Sequence, residues 1–342
     1  MAVNRRTLLR TGLTVTAIGA AGTLRPSLAG AVTEPQIYDT RNWHARDPNG
    51  TITVLNQRPT FIVVHHTAGP NSNDFSLDHA FGVARDIQNL HMDTNGWIDT
   101  GQQLTNSRGG FVMEGRHRSL EVLTGGTRHV VGAHVANNNS TCIGIENEGL
   151  YTSVNVPTAL WNSLVNLVAY IAAQYAVPVA NIKGHRDFNS TQCPGDVLYA
   201  RLPELRSAVA AKLGQSIAAA ETTSWPLLQP GDSGEKVLAA QHLLRGHGIS
   251  APLDGSFGAA TFEAVQRFAA KSGIPYQPCY AYPHADESGL LGASVWPLLA
   301  RPTTTDAADD FGAAARILLS AKGSRATSER RVETATWQTL LT

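Results

Sequence analysis

The residues with the clearest capacity for chemistry are two adjacent histidines, His65 and His66, and a His and a Cys in the segment GHRDFNSTQCPG. That segment, residues 184–195, contains one histidine, His185, and one cysteine, Cys193. Two imidazoles and a thiolate make a three-ligand zinc set that leaves a fourth tetrahedral position open for water. Spacing alone leaves alternatives open, because the cysteine is also compatible with a disulfide or with a buried, inert thiol.

The strands that carry such residues restrict which side chains can meet. FIVVHH (61–66) is rich in β-forming residues and ends in the two histidines. Neighbours along a strand point to opposite faces, so only one of the two histidines can ligate a given metal. In CIGIE (142–146), the same rule puts Cys142, Gly144 and Glu146 on one face. A carboxylate in this apolar strand is costly to bury, so Glu146 needs a partner or a task.

Helices alternate with these strands. Residues 77–91 have the apolar spacing of an amphipathic helix, and Pro157 opens a second helix that runs to about Tyr175. Strands interleaved with helices predict an α/β domain that ends near residue 213.

Composition restricts the class of partner. The chain has 342 residues, is 42% hydrophobic and 16% charged, and contains 27 basic and 27 acidic residues. This is an ordinary globular composition, long enough for two domains. A net charge of zero gives no general attraction to nucleic acid or to anionic membranes, so we expect neither as a partner.

The N-terminus, residues 1–31, has the layout of an export signal. Arg5 and Arg6 precede a modest apolar run over residues 13–24 and a small-residue site at residues 29–31. A twin arginine indicates the route that exports folded proteins, so we expect a secreted, extracellular or cell-wall-associated protein. The apolar run is too short to span a bilayer comfortably. Folded export allows a metal to be loaded before the protein meets an oxidant.

The C-terminal part differs in sequence composition and in its predicted elements. GQSIAAAETTS (214–224) is small and polar and reads as a linker. Short helices and Gly-rich turns follow over residues 225–300. Residues 301–342 repeat pieces of that stretch, since FGAAARILL echoes FGAATFEAV and TATWQTLL echoes GASVWPLLA. We therefore predict a small all-α module over 225–300 and a degenerate partial second module over 301–342.

Several motifs together carry a family resemblance. Over about residues 36–206 the motifs are, in order, RNWHA (41–45), VVHHTAG (63–69), GWIDTG (96–101), GGFVMEGR (109–116), GAH (132–134), GIENEG (144–149) and GHRDFNSTQCPG (184–195). In this order they resemble the zinc N-acetylmuramoyl-L-alanine amidases, the family that shares its fold with the peptidoglycan recognition proteins. The C-terminal part resembles the small peptidoglycan-binding module, most clearly in its DGSFG turn (254–258).

The resemblance implies a fold and a metal site. The fold is α/β, with a mixed, mostly parallel central sheet flanked by helices and with zinc at the floor of a groove. Carried over by position, the ligands of one Zn²⁺ per chain are His65, His185 and Cys193. Asp187 or a backbone carbonyl would orient His185.

The resemblance also implies the catalytic and substrate-contacting residues. Many relatives have a catalytic Tyr where this chain has Gln102, and Gln cannot transfer a proton. A branch without that Tyr uses a Glu in the segment that matches GIENEG, so Glu146 is the expected general base and Glu148 the second choice. Thr191 would add a hydroxyl hydrogen bond to the oxyanion. We expect Gln102, His134 and Glu148 to contact substrate.

The function implied is a secreted, monomeric zinc amidase that cleaves peptidoglycan between N-acetylmuramic acid and L-alanine. Its partners would be the glycan and the stem peptide, with the C-terminal module holding the wall. Two other functions stay open: a non-catalytic peptidoglycan-binding protein, which Gln102 favours, and a zinc peptidase that cuts within the stem. A Cys142–Cys193 disulfide would abolish the metal site.

Overall fold

Eight strands lie within residues 32–216. They are β1 (Ile37–Tyr38), β2 (Val54–Leu55), β3 (Phe61–His66), β4 (Leu104–Asn106), β5 (Val112–Glu114), β6 (His129–Val130), β7 (Cys142–Asn147) and β8 (Ile182–Gly184). Six of them form one sheet in the order β1-β5-β4-β7-β3-β8, in which only β4 and β5 pair antiparallel. β2 and β6 form a separate antiparallel pair. The expected mixed, mostly parallel sheet is confirmed.

The structure, a computed structural model, describes residues 32–216, 224–276, 285–323 and 331–342. The predicted export signal, most of the predicted linker and Cys279 lie outside these ranges. Among the described residues, no helix combines the length and the apolarity that crossing a bilayer requires.

Helices cover the sheet. α1 (Leu77–Asn89) begins after Ser76, whose side chain accepts a hydrogen bond from the His79 backbone N–H, and a π-helical turn (Leu90–Thr94) follows it. The other helices before residue 216 are α2 (Ser119–Gly125), α3 (Thr158–Tyr175), α4 (Asp196–Ala200) and α5 (Leu202–Lys212). α3 begins directly after Pro157 and ends at Tyr175, as predicted.

The two faces of the central strands have different tasks. One face of β3 and β7 packs into the main hydrophobic core with α3, through Ile62, Val64, Ile143 and Ile145. The opposite face of β3 carries Val63 and, at its carboxyl end, the first histidine. In the parallel pairing of β3 with β7, His65 lies opposite Glu146. The alternation read from the sequence therefore puts these two polar residues side by side at one end of the sheet.

A second hydrophobic core lies in the C-terminal part, which we call the C-terminal module (described residues between 224 and 342). Its elements are α6 (Glu235–Gly246), α7 (Ala259–Lys271), α8 (Trp296–Leu299), β9 (Thr303–Thr304), α9 (Asp310–Ala321), β10 (Arg331–Val332) and α10 (Thr334–Leu341). The short antiparallel pair of β9 with β10 is an addition to the all-α prediction.

The predicted second module does not form a separate core. Side chains from before and after residue 300 bury together in one cluster. Trp296 and Trp337 are both fully buried, and their indole N–H groups donate to the Pro226 and Arg301 carbonyls at 2.8 and 2.9 Å. The tail after residue 300 thus completes the core of the module, and its origin as a degenerate repeat stays a prediction.

Candidate metal centre

His65, His185 and Cys193 come together in the structure. One ligand atom from each lies within 4.8 Å of the others, and the residues are only 0%, 2% and 3% exposed. The His65 Nδ1 lies 3.6 Å from the Cys193 Sγ, and the centroids of the two imidazole rings are 4.6 Å apart. Two imidazoles and one thiol match the nitrogen and sulfur ligands that zinc prefers, so the donor set fits the expected ion.

The topology explains why residues far apart in sequence meet here. His65 is near the carboxyl end of β3, and His185 directly follows β8, which pairs parallel with β3. Parallel neighbours end at the same edge of a sheet, where ligand sites form. A loop then returns Cys193 to this edge, and its Sγ accepts a hydrogen bond from the His66 backbone N–H at 3.4 Å. The His66 ring faces away and accepts from the Tyr151 backbone N–H, so only one histidine of the pair faces the cluster.

The protonation state of the cluster suits metal binding. Burial, with the neighbouring imidazoles, lowers the pKa of His65 well below its usual value, and burial lowers the pKa of His185 to about 4. Both rings are therefore neutral, the form that ligates metals. Burial and the charge of Glu146 raise the pKa of the Cys193 thiol, so an adjacent cation is needed to hold it as a thiolate.

Each histidine ligand has a hydrogen-bonding partner on its outer side. The His65 Nε2 lies 3.0 Å from the His134 Nδ1, and the His134 Nε2 lies 3.4 Å from the Cys142 carbonyl. Such contacts fix the tautomer and the orientation of a ligand ring. His134 is 2% exposed and in this geometry supports a ligand, and its contact with substrate stays a prediction.

Asn189 orients His185, in place of the predicted Asp187. The Asn189 Oδ1 lies 3.0 Å from the His185 Nε2. The Asp187 carboxylate instead accepts from the Gly184 backbone N–H and from the Tyr199 hydroxyl. The sequence analysis missed Asn189, although its position four residues after His185, across one turn of a short helical segment (His185–Asp187), was a usable signal.

Glu146 lies at the edge of the cluster. Its Oε1 is 4.0 Å from the His65 Nδ1, and the residue is 1% exposed. Its Oε2 has no hydrogen-bond partner among the described residues. Burial raises the pKa of this carboxyl well above its usual value. A buried acceptor atom without a partner is costly, and its place next to a metal-ligand set indicates a chemical task.

Thr191 is two residues before Cys193 and points back at it. Its Oγ1 accepts a hydrogen bond from the Cys193 backbone N–H at 3.1 Å, and the residue is buried. Together with His185 it lines a cavity beside the cluster. The hydroxyl is therefore close to the three candidate metal ligands.

The remaining two predicted substrate contacts are buried in this geometry. The Glu148 oxygens lie 2.8 Å from the His79 Nε2 and accept from the Arg108 backbone N–H at 2.8 Å. The Gln102 amide donates to the Thr105 hydroxyl at 2.9 Å, and its oxygen has no described partner. At 3% and 0% exposure, both side chains make internal contacts, and their contact with substrate stays a prediction.

The two described cysteines do not form a disulfide with each other. Cys142 and Cys193 are both free, so the alternative disulfide between them is not formed. Burial raises the pKa of the Cys142 thiol to about 12, which makes it inert at neutral pH.

Comparisons with known proteins identify the family of the chain. The profile of the N-acetylmuramoyl-L-alanine amidase family matches residues 55–196. Peptidoglycan-recognition protein SC2 of Drosophila melanogaster is 31% identical over 169 residues, which are 49% of this chain and 84% of that protein. The N-acetylmuramoyl-L-alanine amidase of Sus scrofa is 31% identical over 169 residues, or 48% of this chain.

Coverage differs among these relatives. The chain spans only 26% and 27% of the length of the Sus scrofa and Homo sapiens amidases. Among solved structures, Drosophila PGRP-LB is 24% identical and aligns with 49% of this chain and 92% of its own, with a TM-score of 0.43. The family profile spans the part of the chain that contains the three candidate metal ligands. Because it covers 84% of a relative with which it is 31% identical, the chain belongs to the family of N-acetylmuramoyl-L-alanine amidases and peptidoglycan recognition proteins.

Proposed function

We propose that this protein is a zinc-dependent N-acetylmuramoyl-L-alanine amidase, which hydrolyses the amide between the lactyl group of N-acetylmuramic acid and L-alanine in peptidoglycan. The observation that carries the proposal is the buried set of His65, His185 and Cys193 with the Glu146 carboxylate beside it. A protein that only bound peptidoglycan would gain nothing from an acceptor atom left without a partner at the metal ligands.

Zinc, when bound, would supply the positive charge that holds Cys193 as a thiolate, favours the ionised form of Glu146 and polarises the water and the amide carbonyl. His65 and His185 would bind as neutral rings, held in orientation by His134 and Asn189.

Glu146 would take one proton from the attacking water as the carbon–oxygen bond forms. It would then deliver that proton to the nitrogen of L-alanine as the carbon–nitrogen bond breaks, so that a lactyl carboxylate and a free amine result. The partnerless Oε2 of Glu146 is the atom available for this transfer. The Thr191 hydroxyl, next to the cluster, would donate to the developing oxyanion, a contribution of about 3 kcal/mol for a well-placed donor.

A second candidate function, peptidoglycan binding without hydrolysis, is favoured by Gln102, which replaces the catalytic Tyr of many relatives. The Gln102 side chain is buried and its amide donates to Thr105, the residue that pairs with Glu146 across β4 and β7. The interaction supports a packing role for Gln102, which leaves proton transfer to Glu146. We further propose that residues 1–31 direct export and that the protein acts on the cell wall.

The test combines metal content with product analysis. We expect about one zinc per purified mature chain and, with purified peptidoglycan, products bearing a free lactyl carboxylate and peptides that begin with L-alanine. Cys193→Ser should lose zinc and hydrolysis, whereas Cys142→Ser, a change at the other described cysteine, should keep both. Fragments cut within the stem would identify a peptidase. Zinc without any cleavage would leave the binding function.

A further inference from the structure

The loop that carries Thr191 is held by the C-terminal module. The Ser190 hydroxyl lies 2.8 Å from the Ser294 hydroxyl, and the Ser190 backbone N–H donates to the same Ser294 oxygen at 3.2 Å. The Gly292 backbone N–H donates to the Ser190 hydroxyl at 3.0 Å. A Cβ on Gly292 would lie 2.9 Å from the Ser190 Cα, so only glycine permits this approach.

The residue next to the cysteine ligand is held in the same way. The Gln192 backbone N–H donates to the Glu287 Oε1 at 2.9 Å, and the Gln192 side-chain amide donates to the Gln229 Oε1 at 2.7 Å. Glu287 is 5% exposed. This buried carboxylate accepts a hydrogen bond from the backbone of the metal-site loop. Separating the loop from the C-terminal module would break that charge-assisted hydrogen bond, so the contact stabilises their arrangement.

An open cavity of about 230 Å³ lies beside these contacts. One wall comes from the metal centre and its loop, through His185, Asn189 and Thr191. The other wall comes from the module and includes Gln266 and Tyr276. The volume is below the range of about 300–1,000 Å³ usual for ligand pockets, so it suits one unit of a polymer better than a long segment.

The lining distinguishes between the two parts of a muramyl peptide. Apolar side chains such as Ile274 and Leu290 form part of the lining. Its polar part consists of hydroxyl, amide and phenol groups with the His185 imidazole and the Glu287 carboxylate, and no described lining residue is Lys or Arg. The Asp286 carboxylate stands next to the wall, where it accepts from the Gln266 amide at 3.2 Å. A stem peptide carries free carboxylates, which these acidic groups repel. The glycan is neutral before cleavage, because its lactyl carboxyl is bound in the amide.

We propose that this cavity between the metal centre and the C-terminal module binds a sugar of the glycan strand, so that the module is part of the active site. The inference rests on the proposed amidase function and makes it more specific. The amides and hydroxyls of the lining bind sugar hydroxyls and N-acetyl groups, and the Tyr276 ring packs against the face of a sugar. A module that acted only as a distant wall anchor would have no effect on a small soluble substrate.

The experiment uses the full mature chain and two soluble substrates. One is a muramyl peptide with a single sugar, and the other carries the same peptide on a tetrasaccharide. Gln266→Ala and Tyr276→Ala should each raise KM for the tetrasaccharide substrate about fivefold to tenfold, with kcat and zinc content unchanged. Gln338→Ala, a matched change on α10 outside the cavity lining, should leave KM unchanged.

Three results would overturn the proposal. The variants could leave both soluble substrates unaffected and weaken only activity on whole walls, which would make the module an anchor. They could instead raise KM equally for both substrates, which would assign the cavity to the parts that the two substrates share, the peptide and the muramic acid, and exclude a further sugar of the glycan strand. Calorimetric titration with a stem-free glycan oligosaccharide separates this inference from the amidase proposal: binding that Gln266→Ala weakens supports the subsite even in a protein that does not hydrolyse, and no binding to the unmodified chain refutes it.

Discussion

Glu146→Gln tests the chemistry of the site most directly, because it keeps the size of the side chain and removes its ability to take a proton. The three ligand side chains are untouched, so zinc content should not change. Loss of a general base typically costs a factor of about 10²–10⁴ in rate. At about 1.36 kcal/mol per tenfold, this is a loss of roughly 3–5 kcal/mol of transition-state stabilisation.

The magnitude follows from the position of the side chain. The Oε1 is 4.0 Å from the His65 Nδ1, and Oε2 has no described partner that could substitute for substrate. The effect should therefore appear in kcat, with KM changing little, because the amide oxygen of Gln still fills the same space. The assay is the release of L-alanine-ended peptide from a soluble muramyl peptide, measured at saturating and at limiting substrate.

Glu148→Gln is the matched control. It is the same change two residues along the chain, at a carboxylate whose two oxygens already meet His79 and the Arg108 backbone N–H. We expect kcat within a few-fold of the unmodified protein and a loss of about 1–2 kcal/mol in the free energy of unfolding, because one of these contacts is weakened. If Glu148→Gln abolished hydrolysis while Glu146→Gln remained active, the assignment of the base would be refuted.

Three further predictions follow from the contacts. Asn189→Ala should weaken zinc affinity about 10–100-fold in chelator competition, because it removes the hydrogen bond between Asn189 and the His185 Nε2. Unchanged affinity would contradict the orienting role. Gly144→Ala should lower zinc retention, and it should lower the free energy of unfolding by about 1–3 kcal/mol. The reason is that the new Cβ would lie 2.6 Å from the His134 Nδ1. His117→Ala should cost more stability at pH 5 than at pH 9 in denaturant titrations. His117 and Asp99 form a hydrogen-bonded pair, and burial disfavours the charged form of each. The hydrogen bond to Asp99 nevertheless raises the pKa of His117. The hydrogen bonds from His117 and other donors lower the pKa of Asp99. A raised histidine pKa gives stability that is present below pH 6.5 and lost as pH rises through the folded-state value, so an equal cost at both pH values would refute the charged pair.

The parts of the site that could be predicted from sequence are those set by strand geometry. Alternation along β3 and β7 indicates that one histidine of the pair faces the cluster and that Glu146 shares the face of Cys142, and the parallel register then aligns His65 with Glu146. Asn189 and the burial of Glu148 could not be predicted in this way, because loop conformation and local hydrogen bonding decide them. Alternation predicts which face of the sheet a side chain occupies. It does not predict whether that side chain already has a hydrogen-bonding partner.

The contact between the metal loop and the C-terminal module was also beyond sequence reasoning, since it joins residues about a hundred positions apart through small side chains such as Ser190 and Ser294. The contact between the loop and the module also affects where substrate can enter, as the lining of the cavity indicates. Of the three ligands, only His185 lines the cavity, and Thr191 is beside it. If the proposed reaction takes place at this cluster, the scissile amide approaches from that side, because neither His65 nor Cys193 lines the cavity. The module forms the opposite wall of this approach, so the shape of the C-terminal part limits which glycan chains can present their amide to Glu146.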